Sequence, residues 1–479
     1  MSLLEPVSRW QPGGDEPRRE VVNPANGEVL GIVGLASVAD VGRAAELAER
    51  ARGPWAQVAA GYRAAVLRRA AAVFEACEDE IVWWLVREGG AVPGKAEAEV
   101  RAAAQTCHEA ASLAGAPYGE VIRSGIPRLS LTRRVPAGIV GVITPFNMPL
   151  ALAIRAVAPA LVLGNAVILK PDPRTAVSGG VVLARVFEEA GLARGLLHVL
   201  PGDAEVGEAV VTEPRVRIVS FTGSAVAGRR VGELGGRLLK RVMLELGGNG
   251  ALVVLDDVDL DRAVRAGAYA SFFHQGQVCM AAGRHLVHEN VYDEYVERLG
   301  EFAEGLTVGD PSRETVALGP LIDAAQRDRV HQLVSASVAA GAKLVAGGRF
   351  DGLYYRPTVL AEPEEPTPAY REEVFGPVAP VRPFATLGEA AELVADSESG
   401  LVVSILTADL GRGMALADRV PGGMIHVNDP TIDHEPNAPF GGMGSSGNGW
   451  RAGGAKSDLD AYTETQWLTL RTALPKAAL

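Results

Sequence analysis

A chain of 479 residues is too long for one ordinary hydrophobic core, and 48% hydrophobic against 22% charged residues indicates a well-packed globular protein rather than a disordered one. A net charge of −12 disfavours binding along a nucleic-acid backbone. The spacing of the three cysteines fits neither a disulfide framework nor a zinc site. No apolar run is long enough for a membrane span, and the N-terminus lacks a signal-peptide pattern. We therefore expect a cytoplasmic protein.

The first half of the chain changes from helices to alternating strands and helices. Helical periodicity predicts a long helix over 62–88 that stops at Gly89-Gly90, and another over 95–113. Segment 125–135 alternates like an exposed strand. Four short apolar runs then alternate with helical stretches at 149–163, 176–190, 204–211 and 225–235, the runs being Ile139–Ile143, Ala166–Leu169, Leu196–Leu200 and Arg217–Phe221. This alternation predicts βαβ units and a parallel sheet.

A second alternating series follows the turn Glu245–Asn249. It comprises strand Ala251–Leu255, helix 259–273, strand 284–288, helices 291–304 and 323–340, and strands 401–406 and 423–427. The tail 455–472 reads as strand. The predicted fold class is therefore α/β, with two parallel-sheet domains and two strand-like segments left over.

Cys279 is the candidate nucleophile. A lone cysteine is most often a small buried hydrophobe, and Cys77 and Cys107 keep that interpretation because they lie in alanine-rich helical sequence. Cys279 differs because it follows the Gly276 turn directly after a helical pattern. Such a position favours an exposed thiolate, which is the reactive form.

Two polar residues at strand ends are candidate partners of the thiol. Glu245 ends an apolar strand before Gly247-Gly248, where a carboxylate can activate water if it is partly desolvated. Asn147 follows a strand, and its amide can donate to an oxyanion. The plain alternatives are a surface or capping carboxylate for Glu245 and an ordinary turn residue for Asn147.

Nucleotide binding is indicated at two further strand ends. Lys170 ends one strand, and Phe221-Thr222-Gly223-Ser224 ends another and opens a helical stretch. Backbone N–H groups at a helix start that carries Gly223 and Ser224 are suited to a pyrophosphate. The stretch 442–447 matches GxGxxG, but no βαβ unit can follow it, so we do not interpret it as a dinucleotide fingerprint. The eight histidines show no metal-ligand spacing, so no metal site is predicted.

Taken together, these motifs resemble the aldehyde dehydrogenase superfamily over essentially the whole chain. The motifs are P-F-N around Asn147, Lys170, F-T-G-S, E-L-G-G around Glu245, FxxxGQxC up to Cys279, and Glu373-Val374-Phe375-Gly376-Pro377. The resemblance implies Cys279 as nucleophile, Glu245 as general base, and Asn147 with the Cys279 N–H as oxyanion donors. It implies Lys170, Gly223, Ser224, Glu373 and Phe375 as the residues that bind NAD or NADP.

The resemblance also implies domains and assembly. A Rossmann-like dinucleotide-binding domain is expected over 1–117 and 137–246, a catalytic domain over 247–450, and a small β arm for subunit association over 118–136 and 451–479. A homodimer or homotetramer is expected, with a small-molecule aldehyde as substrate and with neither nucleic acid nor membrane as partner.

Asn428-Asp429-Pro430 and the P-F-G-G loop that begins at Pro439 are most similar to benzaldehyde and related aromatic-aldehyde dehydrogenases. An aliphatic or semialdehyde dehydrogenase and a thiol-dependent esterase remain alternatives. One departure concerns the cofactor: many NAD-preferring relatives carry a glutamate three positions after the lysine, where this chain has Pro173. Without that carboxylate a 2′-phosphate meets less repulsion, and an inward-pointing Arg174 would help to bind it.

Overall fold

The computed structural model describes residues 3–4, 17–362 and 367–474. Most of the N-terminal segment in which no signal-peptide pattern was found lies outside these described residues. From residue 17 onwards, an antiparallel strand pair and a group of helices come first. These elements are β1 (Arg18–Val22), β2 (Val29–Gly34), α1 (Val38–Gln57), α2 (Ala60–Ala76), α3 (Glu78–Gly89), α4 (Pro93–Ser112) and a 3₁₀ turn at Leu113–Gly115.

The prediction of one helix over 62–88 is wrong, because the helix breaks at Cys77. This residue has φ −111° and ψ 18°, and it separates α2 from α3. Three acidic side chains, Glu78, Asp79 and Glu80, occupy the first turn of α3, where they interact favourably with the positive end of a new helix dipole. The predicted stop is confirmed, since Gly90 has the left-handed φ of 66°.

The first large sheet has five parallel strands in the order β7-β6-β5-β8-β9. Its region contains β3 (Val121–Ile122), β4 (Leu129–Pro136), β5 (Ile139–Ile143), α5 (Pro149–Val162), β6 (Ala166–Lys170), a 3₁₀ turn at Pro173–Thr175, a π-helical turn at Val177–Val181, α6 (Val182–Glu189), β7 (Leu197–Val199), α7 (Ala204–Thr212), β8 (Val216–Gly223), α8 (Ala225–Arg237) and β9 (Arg241–Leu246). The predicted strands and helices of this region are confirmed, apart from small shifts at their ends and the π-helical start of the helix predicted over 176–190.

The edge of this sheet positions polar residues. β5 and β6 are buried throughout, which explains why their sequences are continuously apolar. Lys170 and Gly223 are the last residues of β6 and β8, and Glu245 is the next-to-last residue of β9. Because the strands are parallel, these ends meet at one edge of the sheet. In the strand order β6 lies on one side of β5 and β8 on the other, and a ligand-binding crevice typically opens at such a change of direction.

The second large sheet has seven strands in the order β12-β15-β16-β11-β10-β18-β19. Its region contains β10 (Gly250–Val254), α9 (Leu260–Phe272), a 3₁₀ turn at Phe273–Gly276, β11 (Ala282–His288), α10 (Glu289–Gly305), α11 (Ala324–Ala339), β12 (Lys343–Ala346), β13 (Phe350–Asp351), β14 (Tyr354–Tyr355), β15 (Thr358–Ala361), α12 (Pro368–Arg371), β16 (Val378–Phe384), α13 (Leu387–Ala395), β17 (Ser399–Gly400), β18 (Val402–Leu406), α14 (Leu410–Ala417) and β19 (Met424–Val427). All neighbours are parallel except β12 and β15. Sequence analysis missed the strands between 343 and 384.

A small antiparallel sheet, in the order β21-β4-β3, joins the two leftover segments. The last elements of the chain are β20 (Met443–Gly444), α15 (Ala455–Tyr462) and β21 (Thr463–Leu470). The prediction of strand across 455–472 is therefore wrong for its first half. Ala461 and Tyr462 are buried in the core of the first sheet at the end of α15, and the pairing with β4 begins only at Thr463.

The predicted α/β class is confirmed, with two mainly parallel sheets and a small antiparallel sheet that fits the predicted oligomerisation arm. The domain boundaries given above stay a prediction. Among the described helices, none has the length and apolar character needed to cross a bilayer.

Candidate active site

A cavity of about 630 Å³ is lined by residues from both large sheets and from the loops that follow their strands. All eight residues that sequence analysis assigned to catalysis or cofactor binding line it, namely Asn147, Lys170, Gly223, Ser224, Glu245, Cys279, Glu373 and Phe375. The fold therefore brings the predicted nucleophile, base, oxyanion donor and nucleotide-binding residues into one space.

A strained turn positions Cys279. His274, Gln275 and Gly276 follow α9 with left-handed φ values of 49°, 56° and 68°. Only glycine fits at 276, since a Cβ there would lie 2.1 Å from the Gly376 carbonyl oxygen. Gln275 Nε2 donates to two main-chain carbonyl oxygens at 2.9 and 2.8 Å, which holds the turn in place. Backbone strain that is held by its surroundings is typical of active sites.

The Cys279 thiol needs a base or a cation for activation. Burial, and next the negative charge of Glu373, raise the pKa of the Cys279 thiol to about 12, while Arg155 acts in the opposite direction. The thiol is therefore protonated near neutral pH in the isolated chain, so the expectation of an exposed thiolate is wrong, because burial disfavours the charged form. Its reactivity must come from groups that take the proton or favour the thiolate.

Glu245 is a buried carboxylate with one free oxygen. It lies near the end of β9 in register with Thr222 of β8, and among the described residues its Oε2 has no hydrogen-bond partner. Burial raises the pKa of Glu245 to about 8, and the positive charges of Arg155 and Arg451 oppose this shift. A carboxyl group with such a pKa is suited to accept a proton near neutral pH.

Asn147 lies in the turn between β5 and α5, buried at the cavity wall. Its Oδ1 makes no hydrogen bond within the described part of the chain. The main chain is better anchored, because its carbonyl oxygen accepts from Lys95 Nζ at 2.9 Å. The side-chain amide is thus held at the cavity without being committed to another group.

The cavity also has the groups that a dinucleotide needs. Lys170 is largely buried, and Ser224 caps α8, its Oγ accepting from the Ala227 N–H at 3.3 Å. Gly223 keeps the helix start open, because a Cβ there would lie 2.7 Å from the Phe221 ring. A lysine and a helix N-terminus along one wall are a suitable donor set for a pyrophosphate and a ribose.

Glu373 approaches the cavity from the second sheet. Its Oε1 accepts from the Gly248 N–H at 3.1 Å, and a Cβ at Gly247 would lie 2.1 Å from its Oε2. Burial raises the pKa of Glu373 to about 7, and the Gly248 hydrogen bond opposes the shift. Phe375 has a left-handed φ of 53° and packs edge-on against Phe146 at 5.8 Å between ring centroids. With Lys170 and Ser224 opposite, these residues fit NAD or NADP.

Arg174 is not a free cation. Its guanidinium pairs with Asp172 at 2.8 Å and Asp323 at 2.7 Å, and it lies 4.3 Å from the Phe146 ring centroid. Arg174 and Asp172 both line the cavity. The proposed help of Arg174 to a 2′-phosphate is therefore weakened, because two carboxylates already neutralise its charge.

The glycine-rich loop beyond Pro439 lies beside the catalytic residues. Phe440 lines the cavity, and a Cβ at Gly441 would lie 2.9 Å from Glu245 Oε1. Up to residue 474, no βαβ unit follows the GxGxxG match, and β20 within it pairs with β17 instead.

Sequence analysis assigned no role to Arg155. The residue is 7% exposed, its guanidinium lies 4.5 Å from the Phe440 ring centroid, and it donates to Thr222 Oγ1 at 3.4 Å. No ion pair of Arg155 is found within the described residues. An arginine inside the otherwise apolar helix α5 was the available signal, because a buried charge is seldom kept without a role.

Over the described ranges, no group of three or more His, Cys, Asp or Glu side chains is arranged to hold a metal ion. The three cysteines are free, and of these only Cys279 lines the cavity.

Comparisons with known proteins identify relatives along nearly the entire length. The model of the "Aldehyde dehydrogenase family" matches residues 10–468. Vanillin dehydrogenase of an Amycolatopsis species is 58% identical over 459 residues, covering 96% of this chain and 94% of that protein. Benzaldehyde dehydrogenase [NAD(+)] of Pseudomonas putida is 49% identical over 451 residues, covering 94% of this chain and 92% of that protein.

Solved structures show the same architecture. Betaine aldehyde dehydrogenase of Staphylococcus aureus, in complex with NAD⁺, aligns with a TM-score of 0.94 at 29% identity, covering 99% of this chain and 97% of that one. Glyceraldehyde-3-phosphate dehydrogenase of Methanocaldococcus jannaschii, complexed with NADP, aligns with a TM-score of 0.89 at 30% identity, covering 95% and 99%.

Proposed function

The chain belongs to the aldehyde dehydrogenase family, and we propose that it oxidises an aromatic aldehyde to the carboxylic acid with NAD or NADP. The observation that carries the proposal is the convergence of Cys279, Glu245 and Asn147 with the nucleotide-binding residues around one cavity. The aromatic substrate class is supported by the two relatives, whose names specify vanillin and benzaldehyde.

Catalysis begins at Cys279. The thiol first loses its proton to solvent water. The Cys279 thiolate Sγ then attacks the carbonyl carbon to form a C–S bond, and the carbonyl oxygen becomes an anion that accepts hydrogen bonds from the Asn147 amide and the Cys279 main-chain N–H. Lys170, Ser224 and Glu373 would hold NAD or NADP along the cavity wall. The chemistry that the cofactor supplies when bound is acceptance of the hydride from the attacked carbon.

Hydrolysis then falls to Glu245. After oxidation the acyl group remains on Cys279 as a thioester, and the unpartnered Oε2 of Glu245 takes a proton from water as the water oxygen attacks the acyl carbon. The C–S bond breaks, the acid leaves, and the thiolate is regenerated. A buried carboxylate with a free oxygen supports release to water rather than to coenzyme A.

A panel of aldehydes, assayed with each cofactor by the absorbance of the reduced nicotinamide, tests the proposal. Benzaldehyde and vanillin should give a higher kcat/KM than aliphatic aldehydes and semialdehydes, and added coenzyme A should not raise the rate. Preference for a semialdehyde would assign the alternative substrate class. Ester hydrolysis without any aldehyde oxidation would assign a thiol esterase.

A further inference from the structure

A buried ion pair lies directly behind the predicted oxyanion donor. Lys95 and Glu99 are one turn apart on α4, their side chains are 2% and 0% exposed, and Lys95 Nζ donates to Glu99 Oε2. Neither residue lines the cavity. Two charges removed from water are costly unless further hydrogen bonds satisfy them, so the remaining partners of the pair indicate what it is for.

Those partners are main-chain groups before and after the Met148-Pro149 step, where the turn enters α5. Lys95 Nζ donates to the carbonyl oxygen of Asn147 at 2.9 Å. Glu99 Oε1 accepts from the N–H of Leu150 at 2.9 Å and of Ala151 at 3.1 Å, in the first turn of α5. No N-cap side chain caps that helix, so the Glu99 carboxylate takes over the capping role. The pair therefore brackets the turn that presents Asn147.

The charge of Lys95 also acts on His274, in the turn before Cys279. His274, in the strained 3₁₀ turn that precedes Cys279, is buried, and burial followed by the charge of Lys95 holds the pKa of its imidazole well below the usual value. Lys95 thus contacts the main chain of Asn147 and interacts electrostatically with the turn that positions Cys279. These are the two elements that supply the donors for the oxyanion.

We propose that Lys95 and Glu99 are a positioning pair, which fixes the main chain at Asn147 so that its side-chain amide stays aligned with the oxygen of the substrate bound to Cys279. The proposal rests on the oxyanion role given to Asn147 under the proposed function. Neither residue touches substrate, and both act through Asn147.

The expected effect follows from the sensitivity of an oxyanion donor to its position. Loss of one donor costs about 10²–10³-fold in kcat, and a misplacement of about 1 Å can cost about 10²-fold. Release of the Asn147 main chain should therefore lower kcat by roughly 10–100-fold. KM should change by less than about threefold, because the donor acts on the transition state more than on the bound aldehyde.

The informative variant is Lys95→Met combined with Glu99→Gln. It removes both charges together, so no lone charge is buried, and the amide oxygen introduced at position 99 can still accept from Leu150 and Ala151. Its kcat is measured in the wild type and in an Asn147→Ala background. If the pair acts through Asn147, the loss seen in the wild type should shrink to less than about threefold once Asn147 is alanine.

Lys240→Met is the matched control. Lys240 also donates to a main-chain carbonyl oxygen, that of Glu213, but it lies outside the cavity. Its loss should lower the urea midpoint without changing kcat. Lys95→Arg keeps the charge and the donor, so it should retain most of the activity even if the double variant folds poorly.

Two results would overturn the inference. One is an undiminished kcat in the double variant, and the other is the same fold loss with and without Asn147, which would mean that the pair only supports the fold. Failure of the underlying function is separate, because a single Asn147→Ala variant with unchanged kcat would remove the oxyanion role itself.

Discussion

The pH dependence of thioester hydrolysis should follow the ionisation of Glu245. Its pKa is raised to about 8, so only about one molecule in eleven carries the carboxylate at pH 7, against about ten in eleven at pH 9. A general base acts only when it is ionised, so the hydrolysis rate constant should rise about tenfold over that interval and then level off.

Glu245→Gln tests this assignment, because an amide cannot take the proton from water. The variant should still show a first-turnover burst of reduced nicotinamide, followed by a steady state about 10²–10⁴-fold slower and without the rise through pH 8. Rapid mixing with benzaldehyde and NAD resolves the two phases.

Glu373→Gln is the comparison, since Glu373 is the other cavity carboxylate with a raised pKa. Its hydrolysis phase should keep the rise. A rise that persists in Glu245→Gln, or that vanishes in Glu373→Gln alone, would refute the reasoning.

Four further outcomes are expected. Cys279→Ala should abolish aldehyde oxidation while nicotinamide cofactor still binds, as measured by fluorescence titration, and substantial turnover would remove the nucleophile assignment. Arg155→Met should move the rise of the hydrolysis rate to higher pH, because its positive charge favours the ionised form of Glu245, and an unmoved profile would contradict that coupling. Pro173→Glu should lower kcat/KM with NADP more than with NAD, whereas an unchanged ratio would show that another residue sets the preference. Trp467 is 65% exposed on edge strand β21, and an exposed edge with a large apolar side chain normally needs covering. The chain should therefore sediment as a dimer or tetramer, and Trp467→Asp should weaken the assembly. A stable wild-type monomer at micromolar concentration would argue against the oligomerisation arm.

The parts of the site that sequence patterns predicted share one property: each is local. Lys170 and Glu245 stand at the ends of apolar strands, and the carboxyl ends of parallel strands meet at one edge of a sheet, while Cys279 follows a turn in the second alternating series. All three line one cavity. The βαβ rule explains why Lys170 and Glu245 share one edge, but the approach of Cys279 from the second sheet depends on contacts between distant segments.

The features that escaped prediction depend on packing between distant segments. Lys95 meets Asn147 across 52 positions, and nothing near Lys95 in the sequence points to it. The break at Cys77 leaves the apolar periodicity of the two helices continuous. The tail 455–472 contains a helix because its last turn docks on the first sheet, a tertiary contact that outweighs the local pattern.

Arg174 shows a different limit. Its position beside Pro173 suggested a free cation for a 2′-phosphate, yet Asp323, from a segment that sequence analysis did not connect to the cofactor, pairs with it. The sequence indicated the residue correctly as part of the cavity, but its partners could be read only from the structure.

Mass spectrometry of the trapped acyl-enzyme tests the central claim most directly. Glu245→Gln is mixed with benzaldehyde and NAD, quenched in acid within the burst, and digested for peptide mapping. The account predicts about one acyl group per chain, attached as a thioester to Cys279 and absent when NAD is omitted. A burst of reduced nicotinamide with no acyl adduct, or an adduct on Cys77 or Cys107 instead, would contradict it.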